Sequence, residues 1–342
     1  MSTSLRDIIK SLLDSMDERR EFSTLDQATQ EMLDRALDRV IDGTDGRIRL
    51  VPGYKRKLHK AILRSLGYID RIIERIPHPI DLNISHFVSD PYIRAFFPTL
   101  DGLKKVFSKS DELHDYFTED EHINDAESCA LLCMSKEEET ILGMELEGDY
   151  LVKDVKQTRV TFASHRIYAP AETEPNARRE LKCCLFEGLV TNALDEICEH
   201  REQRDQLELE QQILSSRLRR HGSNINEDPE LDKIAKDHAK QQNQTQRLKE
   251  VETELQRIGY VTPEVCLDLV NAVLSQPEDF VSLKNISMRL DKSGIKRVGQ
   301  GKTTQSVCDL HLSEVQIKGL KPRVVTLAKI RRDELQTLEP SG

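Results

Sequence analysis

The run Val298-Gly-Gln-Gly-Lys-Thr-Thr304 ends as phosphate-cradling loops end, with a Gly-Lys-Thr triplet. The complete pattern carries a second glycine five residues upstream, so that backbone amides can wrap the phosphates. Lys296 stands there instead. Downstream, Cys308, Leu310 and Leu312 alternate with Asp309, His311 and Ser313. That is the period of a strand, not of the helix whose N-terminal dipole would face an anion. The run reads as a link between strands.

Thiols and imidazoles give no tighter pattern. Seven cysteines, an odd number without paired spacing, point to reduced thiols and a cytoplasmic setting. Cys129 and Cys133 would lie ~13 Å apart on a strand, too far to share one ion. Cys183 and Cys184 are neighbours on a helix, where one of them packs inward as a small hydrophobe. His114, Asp115, Glu119 and His122 form the one His/carboxylate cluster and read as a solvated acidic loop. No serine sits on a glycine-flanked elbow, and no Cys/His pair is singled out. No catalytic residue, metal ligand or cofactor is assigned; an enzyme with an unidentified Cys/His site is the third-ranked reading.

Charge is more specific. The chain of 342 residues has net charge −10, but the charge is unevenly spread. Arg47, Arg49, Lys55, Arg56, Lys57, Lys60 and Arg64 fall in one stretch without an acid, and several share a helical face. Phosphates of a nucleic acid could meet that stripe; so could the run Asp111–Glu127, which holds eight acids and no Lys or Arg. The segment Val281–Arg332 carries a local charge of +9, with Lys296, Arg297 and Lys302 at its centre. It has no Phe, Tyr or Trp on which bases would stack, so binding there would follow the backbone without sequence preference.

The elements that must position these groups are mostly helical. Hydrophobic residues make up 37% of the chain, below the usual ~45–50%, and Trp is absent. Narrow buried stripes of Leu, Ile and Val suit that composition better than one broad core. Amphipathic helices are expected over Leu5–Met16, from a Thr24-x-x-Gln27 box to Gly43, and from Pro52-Gly53 to Pro77. Two short ones follow, around Leu103–Phe107 and Glu112–Phe117. A strand pattern covers Thr140–Glu147. Cys129–Met134 is its expected hairpin partner across the polar turn Ser135–Glu138, and Lys156–Ala163 is a third strand finished by Ile167-Tyr168.

From Pro175 to His221 the chain is nearly free of helix breakers, and after the connection Gly222–Pro229 a second helix runs to Ile258. So short a link folds the two back on each other. Folding about it sets Leu218 by Leu231, Leu214 by Ile234, Ile197 by Val251, and Leu207 and Leu248 in the polar middle, with Leu255 near Ala193. A short helix at Pro263–Leu274 and strands at Val281–Leu290 (with a phase slip near Asn285), Val307–Ile317 and Val324–Ile330 complete the chain.

The expected fold is α+β and mostly helical, in four segments. Residues 1–127 form a helical domain, 128–176 an antiparallel β segment and 177–260 a long antiparallel coiled-coil hairpin. Residues 261–342 add a short helix and a basic β-rich segment that shares a sheet with 128–176. The favoured function is a non-catalytic cytoplasmic interaction or scaffolding protein, binding a protein partner or self-associating through the hairpin. Nucleic-acid binding through the basic segments is second. No run approaches the ~18 apolar residues of a membrane span, and Arg6, Asp7, Lys10 and Asp14 interrupt what would be the core of a secretory leader.

Overall fold

A computed structural model describes residues 5–17, 27–119, 122–147, 150–223, 231–297 and 307–336. The fold is α+β: one sheet, antiparallel but for its shortest strand, with helices on both faces. The strands are β1 (Ile80–Asp81), β2 (Glu127–Glu147), β3 (Tyr150–Ala171), β4 (Val281–Asp291), β5 (Val307–Ile317) and β6 (Arg323–Arg331), in the order β3-β2-β6-β5-β4. β6 is central. It pairs with β2 from Met134↔Val324 to Glu127↔Arg331, while β5 takes the start of its other edge and β1 the remainder, in parallel. The two β segments of the sequence are thus one sheet, with the long helices inserted between them.

β6 alternates accordingly. Val325 and Leu327 enter one hydrophobic core; Val324, Ala328 and Ile330 enter the other. The first core is built by α1 (Leu5–Asp17), α2 (Gln27–Asp42), α3 (Tyr54–Ile73), the first half of α7 (Glu174–Ser223) and α9 (Pro263–Ser275). Their stripes, such as Leu58, Ile62, Leu66, Ile69 and Ile73 of α3, recur at the spacing of one helix face and are fully buried. The second core is smaller and aromatic. It sets Phe96, Phe97 and Phe107, from α4 (Pro91–Phe96), the residue after it and α5 (Leu100–Ser108), with α6 (Asp111–Thr118) against the opposite face.

The sequence reading breaks at two places, and a phase slip that it expected is found at a third. Ser135–Glu138 is no turn: β2 is continuous, and Ser135 to Glu139 pair with Ala163 to Arg159. Neither face there is fully buried, so polar side chains fit a strand, and Ser135-Lys-Glu-Glu138 holds no Gly, Asn or Pro to reverse the chain. β3 is likewise one strand; its alternation is lost because the backbone takes positive φ at Asp154, Ser164 and Ala169, each at one of the three register shifts in the β2–β3 ladder. The phase slip in β4 has a different origin. Its pairing with β5 is unbroken, but Val281 and Leu283 face the first core whereas Ile286, Met288 and Leu290 face the second. The pleat stays regular and the covered face changes.

The sheet curls until its edges meet. After β4, the turn Asp291–Lys296 reaches across to β3: Val160 N–H donates to Gly294 O at 2.8 Å and Lys296 N–H to Thr158 O at 2.8 Å. Gly294 has φ +74°, and a Cβ there would lie 2.8 Å from Val160 O, so the closure requires glycine. The Val298–Thr304 run and Lys302 lie outside the described residues, as does Thr24 of the proposed capping box. Among the described residues no single helix is long and apolar enough to cross a membrane.

Candidate functional site

Two long helices leave the body at one junction. Asp45 precedes the short helical turn Gly46–Leu50 and accepts from the Arg47 main-chain N–H at 2.9 Å. Its carboxylate also takes Arg47 Nε and Nη2 at 3.1 and 2.8 Å, Arg201 Nη2 of α7 at 2.5 Å and the Cys266 thiol of α9 at 3.5 Å. The Arg47 hydrogen bonds hold Asp45 far below the usual carboxylate range against the opposing effect of burial, while burial, then Asp45, push the Cys266 thiol up. One turn further along α7, the Arg204 guanidinium lies 3.8 Å from the centre of the Tyr260 ring and donates to Gly259 O at 2.5 Å. These contacts tie α7, α9 and the end of α8 (Leu231–Ile258) to the body.

Beyond Arg204 the element packed beside α7 is α8. The two run in opposite directions, but not in the register expected from the sequence. Arg247 meets Glu210 with two bonds of 2.8 and 3.0 Å, whereas folding at Gly222 would put it by Arg201. α8 is displaced toward the tip by about nine residues, or ~13 Å. α7 continues through Gly222 and Ser223, which moves the fold-back point outward. In addition, Ala193 and Ile197 belong to the body's first core, which includes α9, so α8 has no room over them. Ile197 is therefore a body residue and not a seam partner of Val251. Leu214 and Val251 are buried; Leu207, Leu218, Leu248 and Leu255 are half-buried. Leu231 and Ile234 fall within α8, but their side chains lie outside the described residues. On the outward side, Leu209 is 58% and Ile213 41% exposed.

The basic stretch is largely paired. Arg47 holds Asp45, Arg49 reaches Asp38 and Asp42 at 3.3 and 2.9 Å, and Lys55 reaches Asp34 at 3.3 Å. Lys57 meets Asp268 at 3.2 Å and Arg64 meets Glu278 at 3.4 Å. Arg56 and Lys60 are exposed, with no ion-pair partner among the described residues. The acids come from α2, α9 and the turns, not from Asp111–Glu127. The described part of that run lies in and after α6, whose Leu113, Tyr116 and Phe117 pack in the second core and whose Glu112 accepts from Ala169 N–H at 2.7 Å. In the basic β segment, Arg297 binds the buried Asp291 at 2.8 Å and Lys296 stands 4.0 Å from Glu138. Lys318 reaches Glu196 on α7 at 2.5 Å, and Arg332 donates to the carbonyls of Phe117, His122 and Ile123.

The chemistry-bearing side chains do not converge. All seven cysteines are free thiols, and burial raises the Cys133 and Cys183 pKa values to about 12. His122 and the Tyr116 hydroxyl share one oxygen of Asp125, at 2.9 Å each, with their rings stacked; this fixes the turn after α6. Ser287 and His311 lie 2.9 Å apart across β4 and β5, one rung of a polar ladder with Asn285–Ser313 and Arg289–Asp309. Neither arrangement has a nucleophile, a base and a third orienting group in line. Among the described residues, no three potential metal ligands meet.

Two features escaped the sequence reading. The far half of the β2–β3 ribbon bears the exposed Leu142, Met144 and Tyr150; the pair Gly148-Asp149 between its strands was the available signal. A cavity of about 460 Å³ opens between α4, β3 and the Asp291–Gly294 turn, and no local pattern announces it. Compared with known proteins, the chain matches no family model, no curated protein and no solved structure.

Proposed function

We propose that the chain is a non-catalytic interaction protein that presents α7 and α8 as a coiled-coil arm to a protein partner, a second copy of the chain being the special case. The observation that carries this reading is the exposed pair Leu209 and Ile213. Four residues apart, they form one apolar stripe on the part of α7 that stands away from both cores. The buried Leu214 and Val251 supply an inner seam that keeps this stripe turned outward.

The test is removal of Gln206–Gln256 with a short Gly-Ser bridge, leaving Arg201, Arg204 and Tyr260 to hold the junction. The shortened protein is expected to unfold in one cooperative transition and to lose the partner retained by the full chain in affinity capture. Leu209→Glu with Ile213→Glu in the full chain should do the same. Retention of that partner by both variants, or its absence from capture with the full chain, would defeat the reading.

The second reading, nucleic-acid binding, draws support from exposed Arg56 and Lys60. It is weakened by the five cations of that stretch that already face carboxylates. It predicts retention on DNA or RNA that falls steeply with salt and is abolished by charge reversal at Lys55, Arg56, Lys57 and Lys60.

A further inference from the structure

The cavity under the sheet closure combines an apolar wall with two cations that no described residue pairs with. Its wall includes Phe97, Phe162, Val160 and Leu290, and Arg94 of α4 and Lys292 of the closing turn stand at its lining. Neither cation's side chain has a hydrogen-bond or ion-pair partner among the described residues. The one acid of the lining, Asp291, is committed elsewhere. Its Oδ2 accepts from Arg297 Nε and Nη2 at 3.1 and 2.8 Å, and its Oδ1 from the main-chain N–H groups of Ser293 and Ile295 at 2.8 and 3.0 Å. Nearby Asp90 accepts from Tyr92 and Ile93 N–H as the cap of α4. The cavity of about 460 Å³ lies within the range of small-ligand sites, ~300–1,000 Å³, which pair apolar walls with a few placed charges.

The geometry points to a binding site for a small organic acid with a flat or chain-like apolar body. Its carboxylate would take the Arg94 guanidinium, with Lys292 nearby, and its body would lie against Phe97 and Phe162. An Arg–carboxylate contact is charge-assisted and directional, so a neutral ligand of the same shape is discriminated against. This inference is independent of the arm.

The probes are 2-naphthoate and 2-naphthamide, equal in shape and different in charge, titrated into the full-length protein by calorimetry. Cys308 lines the same cavity, so its alkylation, read by peptide mass spectrometry, reports occupancy at this place. The expected result is saturable binding of one naphthoate per chain, about tenfold or more tighter than the amide, with Cys308 protected. Arg94→Gln should weaken naphthoate about tenfold, and adding Lys292→Gln should remove the preference for the acid. Neither side chain has a partner among the described residues, so the variants should fold. Lys105→Gln, an exposed cation on α5 outside the cavity, should bind as the parent does. No saturable naphthoate binding, equal binding of acid and amide, an unaffected Arg94→Gln variant or unprotected Cys308 would each overturn the assignment.

Discussion

Gly143 lies beneath the side chain of Gln157, whose Nε2 donates to Met144 O at 3.1 Å; a Cβ on residue 143 would come 2.2 Å from Gln157 Oε1. Gly143→Ala must expel a buried amide and leave a carbonyl unpaired, so a loss of about 1–3 kcal/mol is expected in the far half of the ribbon. In a Gln157→Ala background the same change should cost much less. Amide exchange of residues 141–157 in the four proteins of this cycle measures the coupling, and additive effects would contradict the contact. His165 makes a second case. It donates through Nε2 to Phe96 O at 2.9 Å and stacks on Phe97. Desolvation lowers its pKa, with the Phe96 hydrogen bond opposing. The unfolded chain takes up this proton near ~6.5 and the folded chain only below that, so stability is full above that range and is lost as pH falls through the lowered folded value. Desolvation acts the same way on His59. His165→Gln keeps a donor without a titration, and should lose less stability than the parent between neutral and mildly acidic pH in denaturant melts. Equal losses would remove His165 from the account. At this scale the sequence revealed which residues were charged but not what they met. Lys57 and Arg64 find acids more than two hundred residues away, a separation that no local pattern encodes.

Elements were more legible, and their failures have causes. Helices α1, α2 and α3 announced themselves through stripes whose described members are buried as expected. The long strands were cut into pieces because period-two patterning depends on one buried face kept in phase: β2 is buried on both faces at its root, the bulges of β3 shift its phase, and both have few buried positions toward their tip. Pairing of α7 with α8 could be inferred from the short link between them. Register could not, because the middle of the seam is polar and the decisive contacts, Arg204 with Tyr260 and Ile197 with the core, lie outside it. A bifunctional thiol reagent checks the register: Glu210→Cys with Arg247→Cys should cross-link readily, and Arg201→Cys with Arg247→Cys should not. The reverse outcome would restore alignment about the Gly222 fold-back.

The whole molecule is organised by β6, which is buried on both faces and paired along both edges. Leu327 is fully buried in the first core. Leu327→Ala should destabilise the protein by about 2–5 kcal/mol, and because β6 joins both cores, the loss should appear in one cooperative transition read by far-UV and near-UV signals together. Two separated transitions would mean that the cores are independent. That one sheet would form from two sequence segments was deducible, since a hairpin returns the chain to where it left. The net charge of −10 was a poor guide at this scale. The basic final segment turns out to bind the body together, through Lys318 to α7 and Arg332 to the end of α6.

The position of β6 in the chain also sets an order of events during synthesis. β2 ends at Glu147 and β6 at Arg331, so a ribosome adding ~5–20 residues per second needs about 10–40 s to supply the central strand after its neighbour has been made. Throughout that interval the edge of β2 from Glu127 to Met134, later covered by β6, is open to any passing strand. The acids Glu137, Glu138 and Glu139 just beyond it are the kind of charge that discourages such pairing. A ribosome stalled before Arg323 would leave the nascent chain with both cores unclosed, and it would be recognised as unfinished by its exposed hydrophobic surface.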